Sequence, residues 1–415
     1  MRDRLQRFTA IERPRVVGPV TVGHGVNEFF AIVIPPVIPL LVADLGITYG
    51  QAGFLLTVFF VMYLLFQLPA GIIADRVGKR VLMVSGLVGM SVGVLIAGMA
   101  PSYEVLVVGQ AIAGISGSTF HPAGMSVISD VETTDTEGKA MGVFGFGGVL
   151  GTMAAPIVVG GVAALAGWRS AVVVAALLGG TMTVVTAYVF LRFAPATGSS
   201  TRSDGGFRSN PHWQSVRETA GELATPANVT LFFVTMGLSM QFRAVQTFTT
   251  SYVSARTGAT VAVSNVAFFG LLMGGSVASL WGGEFADRVN RYHLGISTAV
   301  GTALLIGTVL FVSRLIEPLP EPVLVGVLAV WFVLIGGVSY AMYPVKNALI
   351  SERANEERSG SLFGVFQTSA AIGGASGPAI FGFLATEWGV VVAFPAIASV
   401  SVILAALFGI LLMVE

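Results

Sequence analysis

Long uncharged stretches separated by short charged segments are the feature that most constrains this chain. Residues 52–74 and 81–102 carry no charged side chain, whereas residues 75–80 hold two arginines, a lysine and an aspartate. The whole chain of 415 residues is 54% hydrophobic and only 11% charged, against about 25% charged in typical soluble domains. Because a water-soluble globule must expose its outer shell, most of this chain is predicted to lie in lipid.

Cutting the sequence at charges and turn residues predicts twelve membrane-spanning helices of about 20 residues or more. We number them as spans 1 to 12: 17–43, 50–74, 81–100, 105–129, 139–166, 169–191, 228–253, 262–286, 294–313, 322–350, 360–385 and 389–414. The predicted fold is therefore an all-α membrane protein of two six-helix halves, residues 1–191 and 228–415, joined by a polar linker, residues 192–227.

The distribution of lysine and arginine predicts the orientation of the spans. With the N-terminus inside, 18 of the 22 basic residues fall in inner segments, three fall outside, and Arg243 lies within a span. Positive charges accumulate on the cytoplasmic side of membrane proteins. We therefore expect a multi-pass protein of the cytoplasmic membrane, with both termini in the cytoplasm.

The two halves repeat each other. The charged segment at Asp75 recurs at Asp287, 212 residues later, and two longer blocks recur with a shared offset of 222 residues. These blocks pair "HPAGMSVISD" from His121 with "YPVKNALISE" from Tyr343, and "GVFGFGGVLGTMAAP" with "GVFQTSAAIGGASGP". Six spans return the chain to its starting side, so the halves are predicted to be parallel duplicates.

The segment "GIIADRVGKR" resembles the signature between spans 2 and 3 of the major facilitator superfamily, and the resemblance covers nearly the whole chain. It implies two pseudo-symmetric bundles that transport small molecules by alternating access. Within that superfamily, "GHGVNEFF" and "GSTFHPAG" resemble the fosmidomycin-resistance branch of drug efflux proteins.

The resemblance also implies a cytoplasmic gate at the charged segments. Asp75 would meet the N-terminus of span 11, Arg76 would pair with Asp130, and Arg288 would pair with Glu352. An alternative is that these charges only fix the topology. The predicted gate comprises Gly71, Asp75, Arg76, Gly78, Lys79, Arg80 and Asp130, with Gly283, Asp287, Arg288, Arg291 and Glu352 in the second half.

Glycine and proline in spans 5 and 11 form a second pattern. Gly151 and Pro156 resemble the span 5 signature of antiporters, and Gly377 and Pro378 repeat them, although Ala155 replaces the usual glycine before the proline. These residues are predicted either to let the helices bend or only to let them pack closely.

Polar side chains inside the spans are candidates for binding, because a charge in hydrocarbon costs about 2.5–3.5 kcal/mol. Glu28 and His24 lie one turn apart, and an alignment of spans 2 and 8 places Glu28 opposite residue 242, next to Arg243. Either these groups exchange protons and bind an anion, or Glu28 and Arg243 form a static pair. The candidate proton and substrate residues are His24, Glu28, His121, Gln241, Arg243, Gln246 and Tyr343.

These features favour a secondary transporter over an enzyme or a channel. The chain has no cysteine, and neither a zinc-protease nor a nucleotide-binding motif. Efflux by proton antiport is the preferred prediction, and uptake of a small anion is the alternative. One residue departs from the pattern of proton-driven exporters, because Gln110 stands where many of them carry arginine. The expected partners are a small-molecule substrate, protons and the lipid bilayer, for a monomer without cofactor, metal ion or nucleic acid.

Overall fold

The computed structural model describes residues 11–193, 225–353 and 359–414, and α-helices make up nearly all of this part of the chain. Nine helical stretches among these residues are long and apolar enough to cross a bilayer, and one of them, Asp135–Phe190, contains both span 5 and span 6. These nine stretches correspond to ten of the predicted spans, and the helices of spans 4 and 7 correspond to the remaining two of the twelve. The predicted linker lies almost wholly outside the described residues.

Most spans are single helices, and their bounds differ from the predicted ones by a few residues. They are span 2 (Tyr49–Val77), span 3 (Lys79–Gly98), span 7 (Pro226–Thr257), span 8 (Val261–Arg288), span 9 (Arg291–Leu315) and span 11 (Ser359–Trp388). Spans 5 and 6 share the helix Thr134–Phe193, which turns at Gly167. Both Pro156 and Pro378 lie inside continuous helices.

Four spans are divided, which the sequence did not predict. Span 1 consists of Pro14–Ala31, the short 3-10 turn Pro35–Val37 and Ile38–Leu45, because successive prolines remove backbone donors and interrupt the helix. Span 4 is Tyr103–Gly117 and Phe120–Val131, and span 10 is Glu321–Tyr340 and Met342–Arg353. Span 12 is Val390–Ala396 and Ala398–Val414.

The described residues form two compact units. The N-terminal unit contains Met1–Ile47, Val58–Thr197 and Thr260–Asn265, and the C-terminal unit contains Thr48–Thr57, Gly198–Ala259 and Val266–Glu415. Residues 48–57 pack within the C-terminal unit, where the Thr57 hydroxyl donates to the carbonyl of Ala375 at 2.7 Å. In the N-terminal unit, Asn265 donates to the carbonyl of Pro36 at 3.0 Å.

Turns at equivalent positions show the internal duplication in the backbone. Gly46 and Gly258, 212 residues apart, have φ angles of 64° and 71°, and Gly167 and Gly389, 222 residues apart, have φ angles of 79° and 78°. Glycine adopts this left-handed region without the steric penalty of a Cβ atom. Both offsets are those found between the repeated sequence blocks.

Close helix packing shows which residue of span 7 is equivalent to each residue of span 1. A Cβ atom on Gly151 would collide with the carbonyl of Gly25, and one on Gly373, its counterpart at an offset of 222, would collide with the carbonyl of Met236. Spans 1 and 7 are therefore related by an offset of 211 residues. The offset of 214 derived from spans 2 and 8 does not hold here, so the counterpart of Glu28 is Ser239 and not residue 242.

In each unit, one ion pair joins the start of one span to the end of the next: spans 3 and 4 in the N-terminal unit, and spans 9 and 10 in the C-terminal unit. In the N-terminal unit, Lys79 Nζ lies 2.6 Å from Asp130 Oδ2. In the C-terminal unit, Arg291 pairs with Glu352. Lys79 and Arg291 are related by the offset of 212, and Asp130 and Glu352 by the offset of 222.

These pairs correct the predicted partners of Asp130 and Glu352, which were Arg76 and Arg288. The chain turns at Gly78, where φ is 91°, and the new helix begins at Lys79 beside span 4, whereas Arg76 ends span 2 and is exposed. The side chains of Asp75 and Asp287 and the surroundings of Gly283 lie outside the described part. The gate function remains a prediction.

The first span is capped by a carboxylate from another part of the chain. Glu132 accepts hydrogen bonds from the backbone N–H groups of Glu12 and Arg13 at 3.1 and 2.9 Å, where the helix from Pro14 begins. Burial raises the pKa of Glu132, but the hydrogen bonds from Thr136 and these two N–H groups and the charge of Arg13 outweigh burial and hold the pKa below the usual value of a glutamate. The ionised carboxylate therefore stabilises the entry of span 1.

We expect Glu132→Gln to lower the free energy of unfolding at pH 7 by about 1 kcal/mol, the size of a helix cap. Since the folded-state pKa is lowered, this stabilisation is complete above the unfolded pKa and disappears as pH falls through the folded pKa. Thermal unfolding in detergent at pH 7 and below pH 4.5 measures the difference. The exposed variant Glu387→Gln is the control, and a Glu132→Gln effect that persists undiminished in acid would contradict the cap.

Candidate functional site

A glycine on span 5 makes room for the first candidate side chain, His24. A Cβ atom on Gly148 would lie 2.8 Å from His24 Nδ1, 3.0 Å from Nε2 and closer still to Cε1, which lies between them. The imidazole is stacked on the ring of Phe144, with centroids 3.9 Å apart and planes within 4°. Only 7% of His24 is exposed, so its orientation is set by packing.

Four groups of the N-terminal unit form one chain of hydrogen bonds. His24 Nδ1 lies 2.7 Å from the carbonyl oxygen of Phe144, and His24 Nε2 lies 3.0 Å from His121 Nε2. The other nitrogen of His121, Nδ1, lies 2.6 Å from the hydroxyl of Tyr63. The structure thus brings two of the predicted residues into direct contact and adds Tyr63 from span 2.

The direction of this chain follows from its fixed end. A carbonyl only accepts, so His24 Nδ1 carries a proton, and the Nε2 of a neutral His24 must accept. His121 then donates from Nε2 and accepts the Tyr63 hydroxyl at Nδ1. Both rings are satisfied while neutral, and every buried donor of the chain has an acceptor.

One additional proton fits this chain, and a second does not. If His24 becomes charged, its Nε2 donates to His121, which reverses its own donor and donates from Nδ1 to Tyr63. A second proton would place two N–H groups against each other across 3.0 Å, which is repulsive. The hydrogen-bond chain therefore has room for one additional proton, shared by the two imidazoles.

Glu28 provides the countercharge. Its Oε1 lies 3.5 Å from His121 Nε2 and 3.8 Å from His24 Nε2, and 22% of its side chain is exposed. Glu28 also sits in the last turn of the helix that ends at Ala31, where the aligned peptide dipoles favour a positive charge. The cluster of His24, Glu28 and His121, which we call the proton cluster, is suited to bind one cation.

The same three side chains are the donor set among the described residues that comes nearest to a metal site, since their ligand atoms lie within 4.8 Å of one another. A metal ion requires an unprotonated lone pair from each imidazole. Here one Nε2 donates its proton to the other and Tyr63 donates to His121 Nδ1, so neither neutral imidazole has a free lone pair and a metal ion would have to displace a proton.

The second group of polar side chains lies in the C-terminal unit. Arg243 donates from Nη1 to Gln246 Oε1 at 3.0 Å, and its guanidinium lies 5.7 Å from the centre of the Phe242 ring. Phe242 meets the ring of Tyr340 edge-on, with centroids 4.5 Å apart. The predicted pair of Arg243 with Glu28 joins the two units and stays a prediction.

Tyr343 occupies the position equivalent to His121, at an offset of 222. Ser239 is the counterpart of Glu28, at an offset of 211. The positions of His121 and Glu28 in the N-terminal unit are therefore held by Tyr343 and Ser239 in the C-terminal unit. One pair of neighbouring positions thus carries titratable groups in one unit and neutral hydroxyls in the other.

Lys346 also belongs to this site, although the charge distribution predicted that it lies on the cytoplasmic side. Only 7% of it is exposed, and its ammonium lies 5.3 Å from the centre of the Tyr343 ring. The signal was present in the sequence, since Lys346 lies inside predicted span 10, one helical turn after Tyr343.

Other polar residues of the spans serve helix packing. Gln241, predicted to bind substrate, is 2% exposed and accepts a hydrogen bond from Ser401 of span 12. Asn27 is 1% exposed and donates to the carbonyl of Gly117 at 3.1 Å. Gln110 is likewise buried. Gln241 and Asn27 are thus bonded to neighbouring helices.

Comparison with known proteins agrees with this architecture. The family model described as "Major Facilitator Superfamily" matches residues 20–325 and residues 231–415. The chain is 26% identical over 376 residues to a protein of Citrobacter koseri named "Multidrug resistance protein MdtG", covering 87% of this chain and 85% of the relative. The protein of that name from Escherichia fergusonii is 25% identical over 377 residues, with the same coverage.

Solved structures share the fold. A bacterial homologue of the human lysosomal transporter Spinster, in an inward-facing and occupied conformation, has a TM-score of 0.81 at 14% identity and covers 97% of both chains. The nucleoside transporter NupG has a TM-score of 0.74 at 12% identity, covering 94% of this chain and 99% of its own.

Two duplicated helical bundles with ionisable groups buried in their spans define a transmembrane transporter. The protein belongs to the major facilitator superfamily, and it is a multi-pass membrane protein and not an enzyme. The predicted family, fold class and transport activity are confirmed.

The packing around His24 predicts a selective effect of two neighbouring glycines. We expect Gly148→Ala to destabilise the protein by about 1–3 kcal/mol, because the new methyl group overlaps the imidazole. Gly145→Ala, three residues earlier, has no atom within 4 Å of its new Cβ atom and should leave stability unchanged or slightly raised. Thermal unfolding in detergent compares them, and equal midpoints would show that His24 is not held by this contact.

Proposed function

We propose that this protein is a secondary active exporter that moves drug-like molecules out of the cell in exchange for protons. The observation that carries the proposal is the proton cluster, in which two imidazoles and a carboxylate meet on spans 1 and 4. Ionisable groups inside membrane spans are costly and are commonly part of ion pathways. The naming of relatives as multidrug resistance proteins supports export as the direction.

The cluster has the properties that coupling requires. A single proton changes its net charge between −1, with Glu28 ionised and both imidazoles neutral, and zero. That change alters the cost of exposing the cluster to hydrocarbon or to water, so proton binding biases the protein toward one of its two access states. Transport is then coupled because cargo and proton favour different states.

Tyr63 connects span 2 to the cluster through its hydrogen bond with His121. When an incoming proton binds His121 Nδ1, the Tyr63 hydroxyl rotates from donating to accepting, and the proton on His121 Nε2 moves to His24 Nε2. His121 is about one-third exposed in its side chain, whereas that of His24 is 8% exposed. His121 is therefore the entry point for the proton, and His24 is the inner acceptor.

We expect Glu28→Gln to abolish cargo-induced proton movement, because the amide cannot compensate the charge of the imidazole pair. In everted vesicles with a pre-formed pH gradient, a transported drug should dissipate the gradient with the wild-type protein and not with Glu28→Gln. The control is Glu317→Gln, which alters a carboxylate in the connection between spans 9 and 10. Full gradient dissipation by Glu28→Gln would refute the assignment of the coupling site.

We expect Tyr63→Phe to slow proton-coupled transport about tenfold or more while leaving cargo binding intact, since general acid–base groups contribute factors of this order or larger. The ring remains, and only the hydroxyl on His121 Nδ1 is lost. Transport rates in proteoliposomes and equilibrium cargo binding in detergent separate the two effects. Equal losses in binding and rate would assign Tyr63 to the cargo site instead.

A further inference from the structure

We propose that the C-terminal unit contains a binding site for the anionic head group of an amphipathic organic cargo, formed by Arg243 and Lys346 with aromatic rings around them. The inference rests on the proposed export function and names the chemical class of the cargo. It concerns spans 7 and 10 alone and makes no use of the proton cluster.

The burial of Lys346 is the first step. An ammonium group removed from water needs a compensating partner. Within the part of the chain that the structure describes, no carboxylate lies within ion-pair distance of Lys346, and its recorded contact is the face of Tyr343. A cation–π contact offsets only part of the loss of water, so an external anion is the missing partner.

The second step is the arrangement of two cations beside two neighbouring rings. Lys346 lies 5.3 Å from the centre of the Tyr343 ring, and the Arg243 guanidinium lies 5.7 Å from the centre of the Phe242 ring, which is 5.8 Å from that of Tyr343. The bond from Arg243 Nη1 to the amide oxygen of Gln246 orients the guanidinium. A guanidinium and an ammonium held in this way bind a carboxylate or another oxyanion strongly.

The third step is the aromatic wall beside the cations. The ring of Phe242 lies edge-on to Tyr340 and to Tyr343, with centroids 4.5 and 5.8 Å away. Tyr340 and Tyr343 lie 5.6 Å apart. Ligand sites combine such apolar walls with a few placed polar groups. The site therefore fits an anionic head attached to an apolar, preferably aromatic, body.

The duplication shows that both cations are special to this unit. The residue equivalent to Lys346 is Gly124, at an offset of 222, and the residue equivalent to Arg243 is Ile32, at an offset of 211. Conversely, the carboxylate of Glu28 is replaced by Ser239. On the duplicated framework, one unit carries a negative charge that we propose pairs with a bound proton, and the other carries two positive charges that suit an anion.

Binding of a matched pair of small molecules tests the proposal on the purified full chain in detergent, without a proton gradient. The probes are 2-naphthoate and 2-naphthamide, which share one apolar body and differ in charge, and isothermal calorimetry measures their affinities. We expect the wild type to bind the carboxylate at least tenfold more tightly than the amide, the effect of charge-assisted hydrogen bonds. Lys346→Met and Arg243→Gln should each remove most of that preference, and Lys346→Arg should retain it.

The control is Lys139→Met, which removes an exposed lysine from span 5 and should not change either affinity. Equal affinities for the two probes in the wild type, or an unchanged preference in Lys346→Met, would overturn the proposal. Either result would leave the export proposal standing, since that depends on the vesicle measurement with Glu28→Gln. If Lys346→Met loses binding of both the amide and the carboxylate, its fold is damaged, and Lys346→Arg provides the test instead. Loss of the preference for the carboxylate in Lys346→Arg, which keeps the positive charge, would also overturn the proposal.

Discussion

Both sites depend on the close contact of one glycine-rich helix with its neighbour in each unit. Span 5 approaches span 1 so closely that a side chain at Gly151 would overlap the backbone of Gly25, and span 11 approaches span 7 in the same way at Gly373 and Gly377. In lipid, where apolar surface gains little by association, such backbone contact is a principal source of helix adhesion. Span 1 carries His24 and Glu28, and span 7 carries Arg243. The same contact that holds the helices together therefore also sets the depth and direction of the groups proposed to bind proton and cargo.

The duplicated framework carries opposite chemistry in its two copies. At equivalent places, the N-terminal unit has a carboxylate facing imidazoles, and the C-terminal unit has hydroxyls and rings beside two cations. Buried charge is expensive in either copy, and each copy offsets it differently. In our proposal, the first copy uses a proton shared between His24 and His121, with Glu28 as the countercharge. The second leaves Lys346 with an aromatic face and no described carboxylate, which we interpret as a place for the cargo's own charge.

Much of this could be predicted from the sequence. The number of spans, the duplication and the contact of His24 with Glu28 follow from uncharged runs, repeated blocks and helical spacing, because these depend on local chemistry and lipid alone. The partners of Asp130 and Glu352 could not be predicted, since the turn at Gly78 decides which basic residue reaches them. Tyr63 and the carbonyl of Phe144 were missed for a similar reason. Their roles depend on how three spans pack, and neither residue type is unusual in a membrane helix.

The account stands on one claim, that His24 and His121 share a single proton. Nitrogen-15 NMR of histidine-labelled protein in nanodiscs tests it most directly, because the chain has only four histidines and single substitutions assign them. We predict that His24 Nδ1 carries a proton at every pH at which the protein is folded, and that the two imidazoles together bind no more than one additional proton. Spectra in which both rings carry a full additional proton would contradict this claim.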